Sequence, residues 1–496
     1  MQGVWTTERV RAAEQRVFQR VPEAVLMRRA AFGVATHAAR LLDEHTGAVA
    51  GRRVALLVGA GNNGGDALWA GAFLRRRGVA VTAVLLAPER AHAEGLAAFR
   101  RRGGRVVSAP EDPEQARTEV ARADLVVDGI VGLSGRGPLR PAAAELVQAV
   151  RGLMLAVDLP SGADPDTGVV DGPVVRADVT VTFGCRKPVH VLGEGAVCSG
   201  TVHVVDIGLG DELTDPDIVL LDAADVGALW PVPGPEDDKY TQGVLGVAAG
   251  SATYPGAAVL ATGAGVLATS GMVRYAGPAA EAVRARWPEV VATGSVTDAG
   301  RTQAWVVGPG LGTGGAGRDA VAHVLGCGVP VCADADAINL LATDETLWDA
   351  RDPDTPLVLT PHDREFARLA GPVGRDRVAA VRRAAAEFDA VVLLKGHTTV
   401  VAAPDGRVLV NRARSAWPAT AGSGDVLSGI IGALLAGGMD PWLAAGCGAL
   451  VHDLAATLAA DGAPIGASAL LAAVPDAVRA VRAAAAAEGR PVAAER

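Results

Sequence analysis

The sequence predicts an α/β protein built from two parallel-sheet domains, the first of them doubly wound. Three observations carry this prediction. Apolar runs of strand length alternate with amphipathic helical segments, and the series occurs twice along the chain. Half of the 496 residues are hydrophobic, yet only 4% are aromatic and 62 are glycine, so helices can sit close on a sheet covered on both faces. Several apolar runs end in turns rich in Gly, Asn and Asp, the place where open parallel sheets bind ligands.

In chain order, "RVALLVGAG" (Arg53–Gly61) reads as a buried strand and "ALWAGAFLRRRG" (Ala67–Gly78) as the next helix, stopping on Gly78. Strands continue at Val79–Leu86, Ala123–Ile130, Leu153–Gly162 and Ala177–Phe183, with Ala-rich helices at Ala91–Arg102 and Pro141–Arg151. After Val204–Leu209 the pattern lapses, and "WPVPGPEDDKYTQG" (Trp230–Gly243) has the composition of a connector. The second series comprises "GVLGVAAGS", "AWVVGPGLG", "VPVCADADAIN", "PLVLTPH", "AVVLLKGHTT" and "RVLVNRA". A helix follows at Asp425–Gly438, and the closing "AAAAAEGRPVAAER" is expected to fray.

Composition narrows the function classes. A net charge of −9 leaves no basic footprint for nucleic acid, and Arg75–Arg77 and Arg100–Arg102 read as solvated helix ends. The five cysteines form no C-x-x-C pair, and His323, Cys327 and Cys332 lack a second ligand pair for zinc, so buried thiols in a reducing cytosol are expected. The N-terminus carries charge throughout and no apolar core of a signal peptide. Tyr240 to Val273 is uncharged, but its glycines and Pro255 suit a buried strand-loop-helix better than a membrane span. A cytoplasmic protein without membrane or nucleic-acid partners is expected.

"LLVGAGNNGGD" (Leu56–Asp66) contains the G-x-G-x-x-G spacing of a dinucleotide turn at Gly59, Gly61 and Gly64. A dehydrogenase also needs a carboxylate closing its second strand, and "VTAVLLAPER" supplies none there. Asn62, Asn63 and Asp66 instead suit a hard cation, and Asp128 and Asp158 stand at two further strand ends.

"GNNGGD", "VDGIVG…GRGPLRP" and "VDLPSG" resemble the YjeF N-terminal domain, the NAD(P)H-hydrate epimerase, over about the first 220 residues. The resemblance implies that Asn63, Asp128 and Ser161 hold K+. It places Asn62, Asn63, Gly64, Gly65 and Asp66, then Gly132, Leu133, Ser134, Gly135, Arg136, Gly137 and Pro138, and Asp158, around the hydrated dinucleotide. Asp158 is expected to move the proton that lets the hydroxyl-bearing carbon exchange configuration. Ala67 stands where the family usually has Gly.

In the second half, "TAGSGDVLSG" (Thr420–Gly429) leads small residues straight into an apolar helix, so its first N–H groups would meet an anion. Asp425 sits at the helix head, placed to take a proton from a hydroxyl attacking a phosphoryl group. "KYTQGVLGVAAGSATYPGA", "GPGLG", "DADAIN", "LTPH", "LKG" and "GSGD" together resemble the ribokinase-like NAD(P)H-hydrate dehydratase from roughly Pro235 onward. This resemblance implies ADP-dependent dehydration with Mg2+ on the diphosphate and Asp425 catalytic. Lys395, Gly396, His397, Thr398, Thr399 and Gly424 would contact the nucleotide, and Ala257, Gly312, His362 and Asp425 the hydrate. "RARSAWPATA" departs from the family's usual Gly-Asn-Pro-Gly-Met before this helix.

Both resemblances together imply a bifunctional repair enzyme, an epimerase in residues 1–225 and a dehydratase in 226–496, acting on NADHX, NADPHX and ADP as a homo-oligomer. The competing expectation is a ribokinase-like vitamin-alcohol kinase fused to a non-catalytic YjeF-type interaction domain. Asn63, Asp128, Asp158 and Ser161 occurring together argue against an inert first domain.

Overall fold

The computed structural model describes residues 1–268 and 271–490, which form two compact units. One comprises Gly3–Ile218; the other comprises Met1–Gln2 with the chain from Val219 onward.

The first unit carries β1 (Arg53–Val58), β2 (Ala80–Leu85), β3 (Arg105–Ser108), β4 (Leu125–Gly129), β5 (Leu153–Val157), β6 (Val179–Phe183) and β7 (Thr201–Val205). They lie in the order β3-β2-β1-β4-β5-β6-β7, every neighbouring pair parallel. Strand alternation sends Leu56 and Val127 to one face and Leu57 and Val126 to the other, each fully buried in a separate apolar cluster. Helices α1 (Thr7–Phe18), α2 (Glu23–Thr46), α3 (Asn62–Arg76), α4 (Ala93–Arg101), α5 (Pro113–Ala121) and α6 (Pro141–Gln148) accompany the sheet. The strand order reverses between β1 and β4, a switch point where a crevice opens at the carboxyl ends.

Several expected boundaries move. Helix α3 begins at Asn62, not Ala67, so the Asn-Asn-Gly-Gly-Asp segment is the start of the helix rather than a loop. Gly-Gly disfavours a helix start by about 1 kcal/mol per glycine, but packing decides: a Cβ on Gly64 would lie 2.4 Å from the Gly59 carbonyl oxygen. Strand β5 stops at Val157 because Asp158 turns into the left-handed region at φ 67°. The arginine clusters lie at helix ends, and Arg75 donates to the Val79 and Arg102 carbonyls.

The second unit contains β8 (Ile218–Leu220, at the unit boundary), β9 (Val244–Ala248), β10 (Met272–Ala276), β11 (Val291–Thr293), β12 (Ala304–Val307), β13 (Val331–Ala333), β14 (Leu357–Leu359), β15 (Val391–Leu394), β16 (Thr398–Ala402) and β17 (Val408–Arg412). Their order is β8-β17-β16-β15-β14-β13-β12-β9-β10-β11; β16 runs antiparallel to both neighbours. Among its helices are α7 (Pro255–Ala268), α8 (Gly315–Leu325), α9 (Asp363–Ala370), α10 (Arg377–Glu387), α11 (Ser423–Ala436), α12 (Pro441–Ala460) and α13 (Val474–Ala487). Small residues seat α11 tightly. A Cβ on Gly429 would come within 2.3 Å of the Ala261 carbonyl oxygen of α7, and one on Gly432 within 2.3 Å of Val306 in β12.

The Trp230–Gly243 stretch lies inside this unit, with Trp230 buried, and the chain changes unit near Ile218 instead. Its hydrophobic anchor outweighs the connector-like composition. The uncharged run folds as β9, a loop and α7; Thr269 and Ser270 lie outside the described residues. The expected fraying near the end is corrected up to Arg490: α13 buries Val481 and Ala485, and Arg490 pairs with Asp225. Residues 491–496 lie outside the described residues. Among the described helices, α12 is long and apolar enough to cross a membrane, and 67% of its apolar window is buried inside the fold. Cys185, Cys198, Cys332 and Cys447 are buried, but Cys327 is exposed, its Sγ donating to the His323 carbonyl at the end of α8.

Candidate active sites

At the switch point of the first unit, the loop after β4 ties three predicted residues together. Asn63 donates from Nδ2 to the Val131 and Val157 carbonyls at 3.0 and 2.8 Å. Asp128 accepts from the Ser161 amide and hydroxyl at 2.9 and 2.8 Å, and Ser161 Oγ accepts from the Val131 amide at 3.0 Å. Burial pushes the Asp128 carboxyl up to about 6, against the pull of the Ser161 and Ile130 hydrogen bonds. Its surroundings supply donors but, among the described residues, no cationic side chain.

Asp158 lies just beyond β5 and has an environment the sequence reading missed. Its Oδ1 accepts from Lys187 Nζ at 2.8 Å and from Thr182 Oγ1 at 2.9 Å. Lys187 is itself buried and also donates to Thr182 Oγ1 and the Phe183 carbonyl. Burial pushes Asp158 upward, but the charge and hydrogen bond of Lys187, helped by His190 and Thr182, overcome it and hold the carboxyl below its ordinary range. Lys187 shows the mirror image: desolvation pulls it down, and Asp158 more than restores it. His190 accepts the Lys187 N–H on Nδ1, so its Nε2–H donates to the Asp158 carbonyl at 2.9 Å. Burial drives that ring down to about 3, so it is neutral near pH 7.

Asp66 is the counterpart in the opposite state. It is buried in the second turn of α3, and its Oδ1 has no hydrogen-bond partner among the described residues. Burial, then repulsion from Asp158, Glu14 and Glu23, raises its carboxyl well above the ordinary range. Gly64 and Gly65 are buried beside it, while exposed Asn62 donates to Glu23 Oε1 at 2.9 Å. In the predicted substrate loop, Gly132, Leu133 and Gly135 are half-buried, and Ser134, Gly137 and Pro138 are exposed. Arg136 is engaged by Asp166 at 3.0 Å and by Asp164 at 3.6 Å. Ala67, fully buried, lies against Gly129, where an added Cβ would approach 2.6 Å.

In the second unit, Gly422 caps α11 in the left-handed conformation at φ 85°, and Asp425 follows in the first turn. Helix geometry leaves the Gly424 and Asp425 amides without intrahelical acceptors. Beneath this turn, Asp334 accepts from Lys395 Nζ and from Ser428 Oγ, both at 2.7 Å. Glu365 Oε2 lies 3.8 Å from the same ammonium. Burial first, then the charges of Asp334 and Asp336, pushes Asp425 up to about 7 against the opposing pull of Lys395. Neither Asp334 nor Ser428 had been singled out from sequence.

The remaining predicted residues fall around this turn or beside it. Gly312 donates its N–H to Asp336 Oδ2 at 2.8 Å, and Ala257 packs against the Gly310 backbone. His362 caps α9, its Nδ1 accepting from the Arg364 and Glu365 amides at 3.1 Å. Lys395 is committed to Asp334, so a phosphate contact shares an ammonium already paired. Gly396 and His397 are exposed, and Thr399 donates to the Gly396 carbonyl at 3.2 Å. Thr398 is buried with an unpartnered Oγ1.

These units define a two-site α/β enzyme, one site at a doubly wound switch point and the other at a Gly-rich helix start. A family model described as YjeF-related protein N-terminus matches residues 23–189, and one described as NAD(P)H-hydrate dehydratase matches 245–474. The chain is 55% identical over 443 residues to the bifunctional NAD(P)H-hydrate repair enzyme Nnr of Mycobacterium tuberculosis, covering 88% of this chain and 90% of that protein. It is 54% identical to its namesake in Mycobacterium leprae, covering 94% and 96%. A solved ribokinase-like superfamily protein from Enterococcus faecalis shares the fold, with TM-score 0.50 and 22% identity over 54% of this chain and 98% of its own. The chain belongs to the family of bifunctional NAD(P)H-hydrate repair enzymes.

Proposed function

We propose that the chain repairs hydrated NADH and NADPH, with epimerisation of the R and S hydrates in residues 1–225 and ADP-dependent dehydration of the S hydrate in 226–496. The observation that carries this reading is Asp425, a carboxyl poised near neutrality beside two free helix-start amides. Asp425 takes the proton as the hydrate hydroxyl attacks the β-phosphorus of ADP, and AMP leaves. The amides of Gly424 and Asp425 face the charge that develops. The ring nitrogen's lone pair then expels phosphate, a proton leaves the adjacent carbon, and reduced cofactor is restored. Mg2+ bound with the nucleotide screens the diphosphate charge. In the first unit, Lys187 keeps Asp158 ionised and fixed in place. Asp158 takes the hydroxyl proton as the ring carbon–nitrogen bond opens with its electron pair going to nitrogen, and returns it when nitrogen closes on the other face of the carbon. A cytoplasmic homo-oligomer accompanies this function.

The direct test is mixed R and S hydrates with ADP, followed by chromatography. Consumption of both forms with release of AMP and phosphate is expected; a stable phosphorylated alcohol made from ATP, with the hydrates untouched, would instead indicate a kinase. The base must be ionised to act, so dehydration should rise with pH, half-maximal near 7 and level above it. A flat profile between pH 6 and about 8 would reject Asp425 as the titrating base.

The first unit's residues also fit a monovalent cation. Asn63 spends its N–H donors on carbonyls, so its Oδ1 is left to accept, and Asp128 is a buried carboxylate with no counter-charge among the described residues. Asn63, Asp128 and Ser161 would hold K+, which supplies that charge. Saturating KCl, compared with choline chloride at equal ionic strength, should raise the unfolding temperature by about 2–6 °C. Asp128→Asn should erase the difference between the salts.

A further inference from the structure

Ser423 opens α11 at the turn where the nucleotide is read to bind, and its hydrogen bonds come from the neighbouring helix. His452 of α12 places Nε2 3.0 Å from Ser423 Oγ and 3.0 Å from the Ser423 carbonyl oxygen. A carbonyl can only accept, so Nε2 carries the ring proton and His452 is the donor to Ser423. Desolvation, with Lys395 acting in the same direction against the Ser423 bond, pushes the ring down to about 4, which keeps it neutral near pH 7.

The consequence falls on the hydroxyl. Because Nε2 already bears hydrogen, Ser423 Oγ cannot donate to the ring; it receives there, and its own proton is turned elsewhere. The Ser423 amide is used on the Thr420 carbonyl at 3.3 Å, so the hydroxyl is the donor this residue has left for a ligand. It stands in the same turn as the Gly424 and Asp425 amides.

We propose that His452 is a positioning residue for dehydration: by donating into Ser423 it orients the hydroxyl so that its proton meets a phosphoryl oxygen of the nucleotide. This rests on the nucleotide reading given above. His452 touches neither the nucleotide nor the hydrate and acts through Ser423 alone.

The test measures ADP binding by calorimetry, and KM and kcat for dehydration, in the full-length chain. Ser423→Ala is expected to weaken ADP about tenfold, the worth of one hydrogen bond to a charged oxygen, with kcat changed far less. His452→Leu should match it, and the double variant should be no worse than either single one. His452→Gln, whose side-chain amide can donate from nearly the same place, should recover most of the affinity. Additive losses, a loss confined to kcat, or no recovery in His452→Gln would overturn the proposal. If His452→Leu does not fold, Ser423→Ala and His452→Gln still decide it, because unchanged ADP affinity in Ser423→Ala overturns it alone. Failure of the unaltered chain to take up ADP would overturn the nucleotide reading itself.

Discussion

Asp425→Asn is expected to abolish dehydration while ADP still binds close to its unaltered strength. The amide keeps the shape and leaves the helix-start N–H groups in place, but it cannot accept the hydroxyl proton. Loss of a general base alone removes about 10²–10⁴-fold in rate. The burial and neighbouring charges that raise this carboxyl to about 7 would, in the variant, act on a neutral group. Mutual repulsion with Asp334 and Asp336 is therefore relieved, so the variant should be no less stable than the parent. Single-turnover measurement of AMP release, beside calorimetry of ADP, separates the outcomes. Substantial turnover in Asp425→Asn would remove the residue from the chemistry, and lost ADP binding would make it a structural support instead.

Lys187→Met should have the second-largest effect, a loss of folding stability. Lys187 and Asp158 are both almost fully buried and bonded at 2.8 Å, so removing the ammonium strands an uncompensated carboxylate in the core. Breaking such a pair costs about 3–5 kcal/mol. Asp158→Asn likewise leaves the buried Lys187 without its counter-charge, so its fold is checked by the same denaturant titration. It should stop epimerisation while S-hydrate repair continues, leaving the R form to accumulate. The pair's pH dependence has a definite sign. Asp158 is lowered, so its contribution is present above the ordinary carboxylate range and is lost as pH falls through its folded value. Lys187 is raised, so its contribution is present below the ordinary lysine range and is lost as pH rises through its folded value. Near neutrality both are fully present, and denaturant titration there should show the whole loss in Lys187→Met. An unchanged midpoint would mean the ion pair contributes nothing to the fold.

The strands flanking the catalytic turns were legible because Leu56, Val127, Val306 and Leu393 sit in uninterrupted apolar runs, the mark of a sheet buried on both faces. Strands β10 and β11 were not anticipated: "MVRYA" places Arg274 mid-strand, and "VAT" is three residues long. The start of α3 was misplaced because propensity argues against Asn-Asn-Gly-Gly, while the close approach of Gly64 to Gly59 is invisible in one dimension. The same limit applies to the chemistry. Asp425, Asp158 and Asp128 announce themselves at strand and helix ends, whereas the groups that set their surroundings, Lys187, Asp334 and His452, arrive from other elements. "TFGCRKPVH" held a hint, a lysine set four residues after a buried strand.

The left-handed backbone of Asp158 bears on how this domain ages in evolution. At φ 67° an aspartate sits where glycine rests without strain, an arrangement costing roughly 1 kcal/mol or more. In a duplicated gene freed from selection for catalysis, drift to glycine would relax the main chain, though Lys187 would then need replacing by an uncharged residue. Either exchange alone strands a buried charge, so the route from enzyme to inert scaffold is open only when both occur together. Aspartate surviving at so uncomfortable a position is therefore a mark of continuing use.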